Sequence, residues 1–390
     1  MTDLEIIAPD EADQIDHIVD LTLKQLRNRY EGSERSLRGV HPKDHGCVAA
    51  KFRISDDLTP ELQVGLFRQP GQEFDAWVRF SNAATLVAPD SEHKDGVTAH
   101  GSRGMAVKVM AVSGVPLVTT NLMTTRGPLH QDLLMVNHPV FAFANIVDYE
   151  ALSRIILEDN EKADRFFKER IRLTDSGTPD LADPATRRAL VTARIIERIR
   201  SAACPPAFQP PPLSPLDNRY FSAAPFLFGD GRIMKFGAKP VAPMSGALTD
   251  VTTDANYLRT ALQERLSHND HDDVVFEFQV QIREASELKD SIDTEIEDVC
   301  VEWDEVEHPF ETVATIAIPP QDCSSAERVE FCESLIFSPW NGLAEHRPLG
   351  GINRLRKAVY EASSNARKAI ASTACPYSRS GSEDLHSDGP

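Results

Sequence analysis

The sequence predicts an α+β fold in which helices pack on one antiparallel barrel or large sheet. Three observations lead there. Strand-like runs recur along most of the 390 residues, helical patterns interrupt them without the strict alternation of a parallel sheet, and no internal repeat divides the chain.

The first 30 residues space Ile15, Ile18, Val19, Leu21, Leu23 and Leu26 among charges, so they read as an amphipathic helical arm. Val48, Ala50, Phe52 and Ile54 alternate with other residues in the first strand, 47–54. AWVRFS (76–81) repeats the pattern. Further strands are expected at 104–112, 231–238, 273–282 and 312–318. Helical spacing marks 152–173, 184–203 and 257–266, and Asp183 before Pro184 is a plausible N-cap and first-turn pair. Ser324 with Glu327 resembles a capping box for a helix reaching Leu335, and 352–370 forms the last helix. The proline-rich stretch 205–215 is an extended connector, and 375–390 has the composition of a disordered tail.

Composition removes several functions. The charge of −19 argues against a nucleic-acid binder, which needs a basic footprint. No apolar run approaches the ~20 residues of a membrane span, and the acidic start is unlike a secretory signal, so a cytoplasmic protein is expected. The six cysteines are scattered with no CxxC pair, which indicates neither a zinc site nor a disulfide framework. The acidic stretch 284–307 lacks the glycine and ligand spacing of a calcium loop and reads as solvated turns.

The last helix is the most informative segment. Arg356, Tyr360 and Arg367 differ by four and eleven residues, which at ~100° per residue puts them within about 40° of one another on one face. The bland reading is an exposed basic face. The functional one is that Arg356 holds the Tyr360 phenol as a phenolate, an anionic axial ligand for ferric haem. Near the other end, Pro42 after His41 argues against a helical metal pair with His45. Trp77, Arg79 and Ser81 share one strand face, and Asn137 sits in an apolar run where a buried amide needs partners.

The pieces RGVH (38–41), WVRFSNA (77–83), SRGMAVKV (102–109), DLLMVNHPVF (132–141), FEFQV (276–280), FSPWN (337–341) and RKAVY (356–360) occur in the order found in haem catalases, which the sequence therefore resembles. The resemblance implies an antiparallel eight-stranded barrel with surrounding helices, a late helix that ligates haem b, and a haem-binding unit over 31–374. Residue by residue, it makes Tyr360 the iron ligand and Arg356 its neighbour. His41 becomes the distal acid/base, Asn137 the distal hydrogen-bond donor and Ser81 the hydroxyl behind His41. Arg38, Arg79 and Arg367 match propionate partners, and Val40 matches the apolar residue of hydrogen-peroxide-degrading catalases.

The implied activity is consumption of hydrogen peroxide, of catalase or peroxidase type. The alternatives are an isomerase or lyase of a fatty acid hydroperoxide, as in the related allene oxide synthases, and a haem sensor without turnover. A homodimer is the expected assembly. The chain departs from the family in reading HGS before Arg103 and in carrying an insertion within 113–131. The aromatic expected on the haem is left open among Phe141, Phe143 and Tyr149.

Overall fold

The structure is a computed structural model that describes residues 4–30, 33, 36–83, 87–94, 97–117, 129–159, 164–200, 214–242, 254–267 and 272–374. Its strands are β1 (Asp44–Ile54), β2 (Glu73–Asn82), β3 (Ser91–Lys94), β4 (Val97–His100), β5 (Arg103–Val109), β6 (Gln131–Val136), β7 (Tyr220–Phe221), β8 (Phe226–Leu227), β9 (Arg232–Pro240), β10 (Val274–Glu284) and β11 (Phe310–Ile318). Its helices are α1 (Glu11–Tyr30), α2 (Ile146–Asp159), α3 (Asp164–Arg170), α4 (Pro184–Arg200), α5 (Tyr257–Ser267), α6 (Ile292–Glu295), α7 (Ala326–Ser334) and α8 (Gly351–Ala374).

Eight strands close a ring. β1 pairs with β2, β2 with β5, β5 with β6, β6 with β7, β7 with β9, β9 with β10, β10 with β11, and β11 returns to β1, always antiparallel. β8 adds to β9 outside the ring, and β3 and β4 form a separate hairpin. Alternation fixes which residues fill the inside. Val48, Phe52, Val78, Phe80, Met105, Val107, Met135, Phe236, Phe276 and Phe278 are all buried in one core. Phe52 meets Phe278 edge to face at 5.3 Å, and Phe67 stacks on Phe278 at 6.0 Å to plug one end.

The expected strands all form, with boundaries shifted by a few residues. β6 was read only as an apolar run, because Leu133 and Met135 face the core while Leu134 and Val136 are covered from outside, so no polar alternation marks it. The two-residue strands β7 and β8 carry too little pattern to be read. The single helix expected over 152–173 is two, α2 and α3. The first begins six residues earlier, where Asn145 Oδ1 accepts the Asp148 N–H at 3.1 Å. Asp183 does cap α4, accepting the Thr186 N–H at 2.9 Å. The cap of α7 is Ser325 and not Ser324: its Oγ accepts from Arg328 N at 3.3 Å. The expected connector falls almost wholly outside the described residues, and the expected tail does so entirely. The acidic stretch forms short turns. Among the described residues Cys47, Cys300, Cys323 and Cys332 are free thiols, and those of Cys47 and Cys332 interact in a way that no sequence spacing signals. No helix among the described residues is long and apolar enough to cross a membrane.

The N-terminal arm is held down by charge as well as by apolar packing. α1 lays Ile18 on Ile352, Leu355 and Val359 of α8. At the start of α8, Glu5 Oε1 accepts the Gly350 N–H at 2.9 Å and Glu297 Oε2 the Gly351 N–H at 2.7 Å, which places two carboxylates at the positive end of the helix dipole. Arg354 then pairs with Glu5 (2.5 Å), Glu11 (2.5 Å) and Glu297 (3.1 Å) while only 14% of its side chain is exposed. Removing one member of such a cluster leaves buried charge uncompensated. Arg354→Ala is therefore expected to lower stability by about 3 kcal/mol in urea unfolding and to make residues 4–30 the first site of proteolysis.

Candidate active site

Between the outer face of the barrel and α8 lies a cavity of about 1240 Å³, its open mouth included. Register builds its floor. Ser81 pairs with Gly104 and Gly104 with Val136; one step along, Arg79 pairs with Ala106 and Ala106 with Leu134. Two cross-strand rows thus face the cavity, and the small Gly104 and Ala106 at their centre leave it deep. The roof is the stripe of α8 that carries Leu355, Arg356, Val359, Tyr360, Ser363 and Arg367, at the spacing of one helical face. Phe141 and Tyr149 close a side.

His41 reaches this floor from the segment before β1. Its backbone is left-handed (φ 58°), and Arg79 Nη2 donates to its carbonyl at 2.9 Å. The ring lies on Gly104, where a Cβ would come within 2.5 Å of Nδ1, and Nδ1 meets Ser81 Oγ at 2.9 Å. Nε2 has no partner among the described residues. Burial, reinforced by the charges of Arg79, Arg356 and Arg38, pushes the imidazole down to about 3, so it is neutral over the working pH range.

Tyr360 faces the cavity from the roof, and its hydroxyl has no hydrogen-bond partner among the described residues. The Arg356 guanidinium lies over its ring, 5.6 Å from the centroid, and over that of Phe141 at 5.4 Å, while Nη1 donates to Asn353 Oδ1 at 3.0 Å. Arg356 therefore approaches the face of the ring, and its hydrogen bond goes to Asn353 and not to the phenol oxygen. Tyr149 is a second phenol in the same wall, raised to about 12 by burial and then by Tyr360. Phe143 turns away, edge to face with Phe166 at 5.4 Å, which leaves Phe141 and Tyr149 as the aromatics at the cavity.

Arg38, Arg79 and Arg367 all line the cavity, near enough for Arg79 and Arg367 to repel Arg38. Arg38 Nη2 donates to the carbonyls of Cys332 (3.1 Å) and Leu335 (2.9 Å), and burial followed by repulsion from Arg79 brings its guanidinium to about 10. Arg79 Nε is buried with no hydrogen-bond partner. Val40 lines the cavity beside His41.

Asn137 is the exception. Its Oδ1 accepts from Arg103 N (2.7 Å) and Ser102 Oγ (3.2 Å), its Nδ2 donates to Asn218 Oδ1 (3.3 Å), and it is not among the cavity residues. It follows the last residue of β6, Val136, which lines the cavity with Leu134 and Met135. Sequence reasoning also missed Glu333, which joins the arginine edge 2.9 Å from Arg38. It stands in a short, weakly patterned helix, where nothing distinguishes it from surface acid.

No family model and no curated protein matches the sequence. Solved structures do. A bacterial catalase aligns with a TM-score of 0.58 and 18% identity, covering 93% of this chain and 65% of its own. A fungal catalase gives 0.60 and 15% over 90% of this chain and 63% of its own, and catalase A from Saccharomyces cerevisiae 0.57 and 15% over 90% and 65%. This chain thus spans slightly under two thirds of the length of each. What it shares with them is architecture: the protein has the catalase-like fold, a closed eight-stranded antiparallel barrel with a helical cover.

Proposed function

We propose that this protein binds haem b in the cavity and consumes a hydroperoxide there. The observation that carries the reading is that a neutral, rigidly held imidazole on the barrel side and an unpartnered phenol on α8 face one cavity. The donor set suits the group. A phenol oxygen is an established ligand type for ferric haem, the orphaned Arg79 Nε and its neighbouring guanidiniums suit carboxylates, and the small Ala106 in the floor leaves room for a flat ring.

Tyr360 would hold the iron, and Arg38, Arg79 and Arg367 the propionates. Haem bound here would supply the redox-active iron needed to split an O–O bond. The side chains supply the proton handling. In the tautomer where Nδ1–H donates to Ser81 Oγ, Nε2 of His41 is the free base: it takes a proton from one peroxide oxygen and returns it to the departing one.

Protein expressed with a haem supply is expected to show a Soret band and tyrosinate-to-iron charge transfer, and Tyr360→Phe to abolish that charge transfer. A wild-type protein that takes up no haem would end the proposal.

One observation favours an organic hydroperoxide over hydrogen peroxide, including the isomerase or lyase chemistry of fatty acid hydroperoxides. Val40 and Val136 line the cavity with His41, while the amide of Asn137 is taken up by Arg103, Ser102 and Asn218. An apolar wall offers no hydrogen bond to a second peroxide oxygen but accommodates an alkyl group. Comparing turnover of hydrogen peroxide with that of a fatty acid hydroperoxide decides between them.

A further inference from the structure

The edge of the cavity that carries the arginines already holds an anion. Glu333 lies in the last turn of α7 with 13% of its side chain exposed, its Oε2 2.9 Å from Arg38 Nη1 and its Oε1 3.9 Å from Arg79 Nη2. Arg367 Nη1 reaches its main-chain carbonyl at 3.5 Å. The same turn supplies the Cys332 and Leu335 carbonyls that receive Arg38 Nη2, so Arg38 is anchored by backbone whatever the Glu333 carboxylate does. Two guanidiniums with little solvent need a counter-charge, and Glu333, which is not itself among the cavity-lining residues, provides it from behind.

We infer that Glu333 is an internal counter-anion of this edge, competing with the carboxylates of an incoming ligand for Arg38 and Arg79 and so limiting its affinity. This rests on the haem reading above, with the propionates as the competing carboxylates. Glu333 stabilises the ligand-free edge and weakens the loaded one, because two like charges then share the same guanidiniums in a poorly screened site. A residue that merely positioned the arginines would act in the opposite direction, since its loss would weaken binding.

The test is an equilibrium titration of haem-free protein with haem and with its dimethyl ester, which lacks the carboxylates, read by the growth of the Soret band. Glu333→Gln is expected to tighten haem about tenfold and to leave the ester unchanged. Glu333→Asp, which keeps the charge but retracts it by one methylene, is expected to fall between Glu333→Gln and the wild type, and it carries the test if the Gln variant does not fold. Haem affinity that is unchanged or weakened in the variants, or tightened equally for haem and its ester, overturns the inference while leaving the haem reading intact. Absence of a Soret band with either porphyrin in every protein, wild type included, overturns both.

Discussion

His41→Ala is expected to lower the rate of hydroperoxide consumption by about 10²- to 10⁴-fold, the usual worth of a positioned general acid/base, while the Soret band persists. The argument is geometric. His41 Nε2 faces the cavity without a partner, its other nitrogen is held by Ser81 at 2.9 Å, and its ring rests on Gly104. Alanine leaves the floor in place and removes only the base. Because the imidazole is neutral down to about pH 3, the proton-transfer step in the wild type is expected to be flat from about pH 8 down to about 6.5, where acid unfolding sets in, without the decline that a base of ordinary pKa would already show in that range. A rate that follows a group near 6.5 in stopped-flow measurements would show that His41 is not the base. Ser81→Ala should keep the base but loosen its ring, with a smaller loss of about tenfold.

Acid is expected to unfold this protein sharply between pH 6.5 and 4. His138 and His346 are both held at about 4, and His41 and His45 at about 3, in each case chiefly by burial. His346 shows the local cost of a proton: its Nε2 accepts the Leu66 N–H at 3.0 Å, and protonation would set donor against donor. In the unfolded chain all four titrate near 6.5. Below that pH the unfolded state binds protons that the folded state refuses, so the stability is fully present above 6.5. It is lost as pH falls, through about 4 for His138 and His346 and about 3 for His41 and His45. Each contributes about 1.4 kcal/mol per pH unit within its window, together about 5 kcal/mol per unit near pH 5, against a total of roughly 5–15 kcal/mol for a typical domain. Urea unfolding at a series of pH values should return an uptake of about four protons on unfolding near pH 5. An uptake below one would mean that these imidazoles are already charged in the folded state. His346→Gln should remove about one quarter of the slope, whatever its effect on absolute stability.

Much of the site was legible because it lies on regular elements. The helical spacing of Arg356, Tyr360 and Arg367 holds in α8, and the alternation that set Arg79 and Ser81 apart from Val78 and Phe80 holds in β2. What could not be read depends on closure of the ring and on strand register. β6 is buried along most of its length and its Leu133–Val136 stretch lacks polar alternation, so its sequence hides which residues line the cavity, and Asn137 follows it outside the strand. Glu333 and the meeting of Cys47 with Cys332 bring together residues almost 300 positions apart through the packing of α7 on β1, for which local sequence carries no signal. The Arg354 cluster, with Glu5, Glu11 and Glu297, is of the same kind.

The closed ring has a bearing on how a ligand is held. The strands of the cavity floor, β2, β5 and β6, are joined by long ladders over a filled interior, so the floor is a hard wall. The roof is α8, held by the apolar face of α1 and by ion pairs at its first turn. That wall is soft by comparison, since a helix pair can swing away with its own backbone bonds intact. A flat ligand held between the two walls would be gripped by the softer one, and the clamp at Arg354 would then set how firmly it is held.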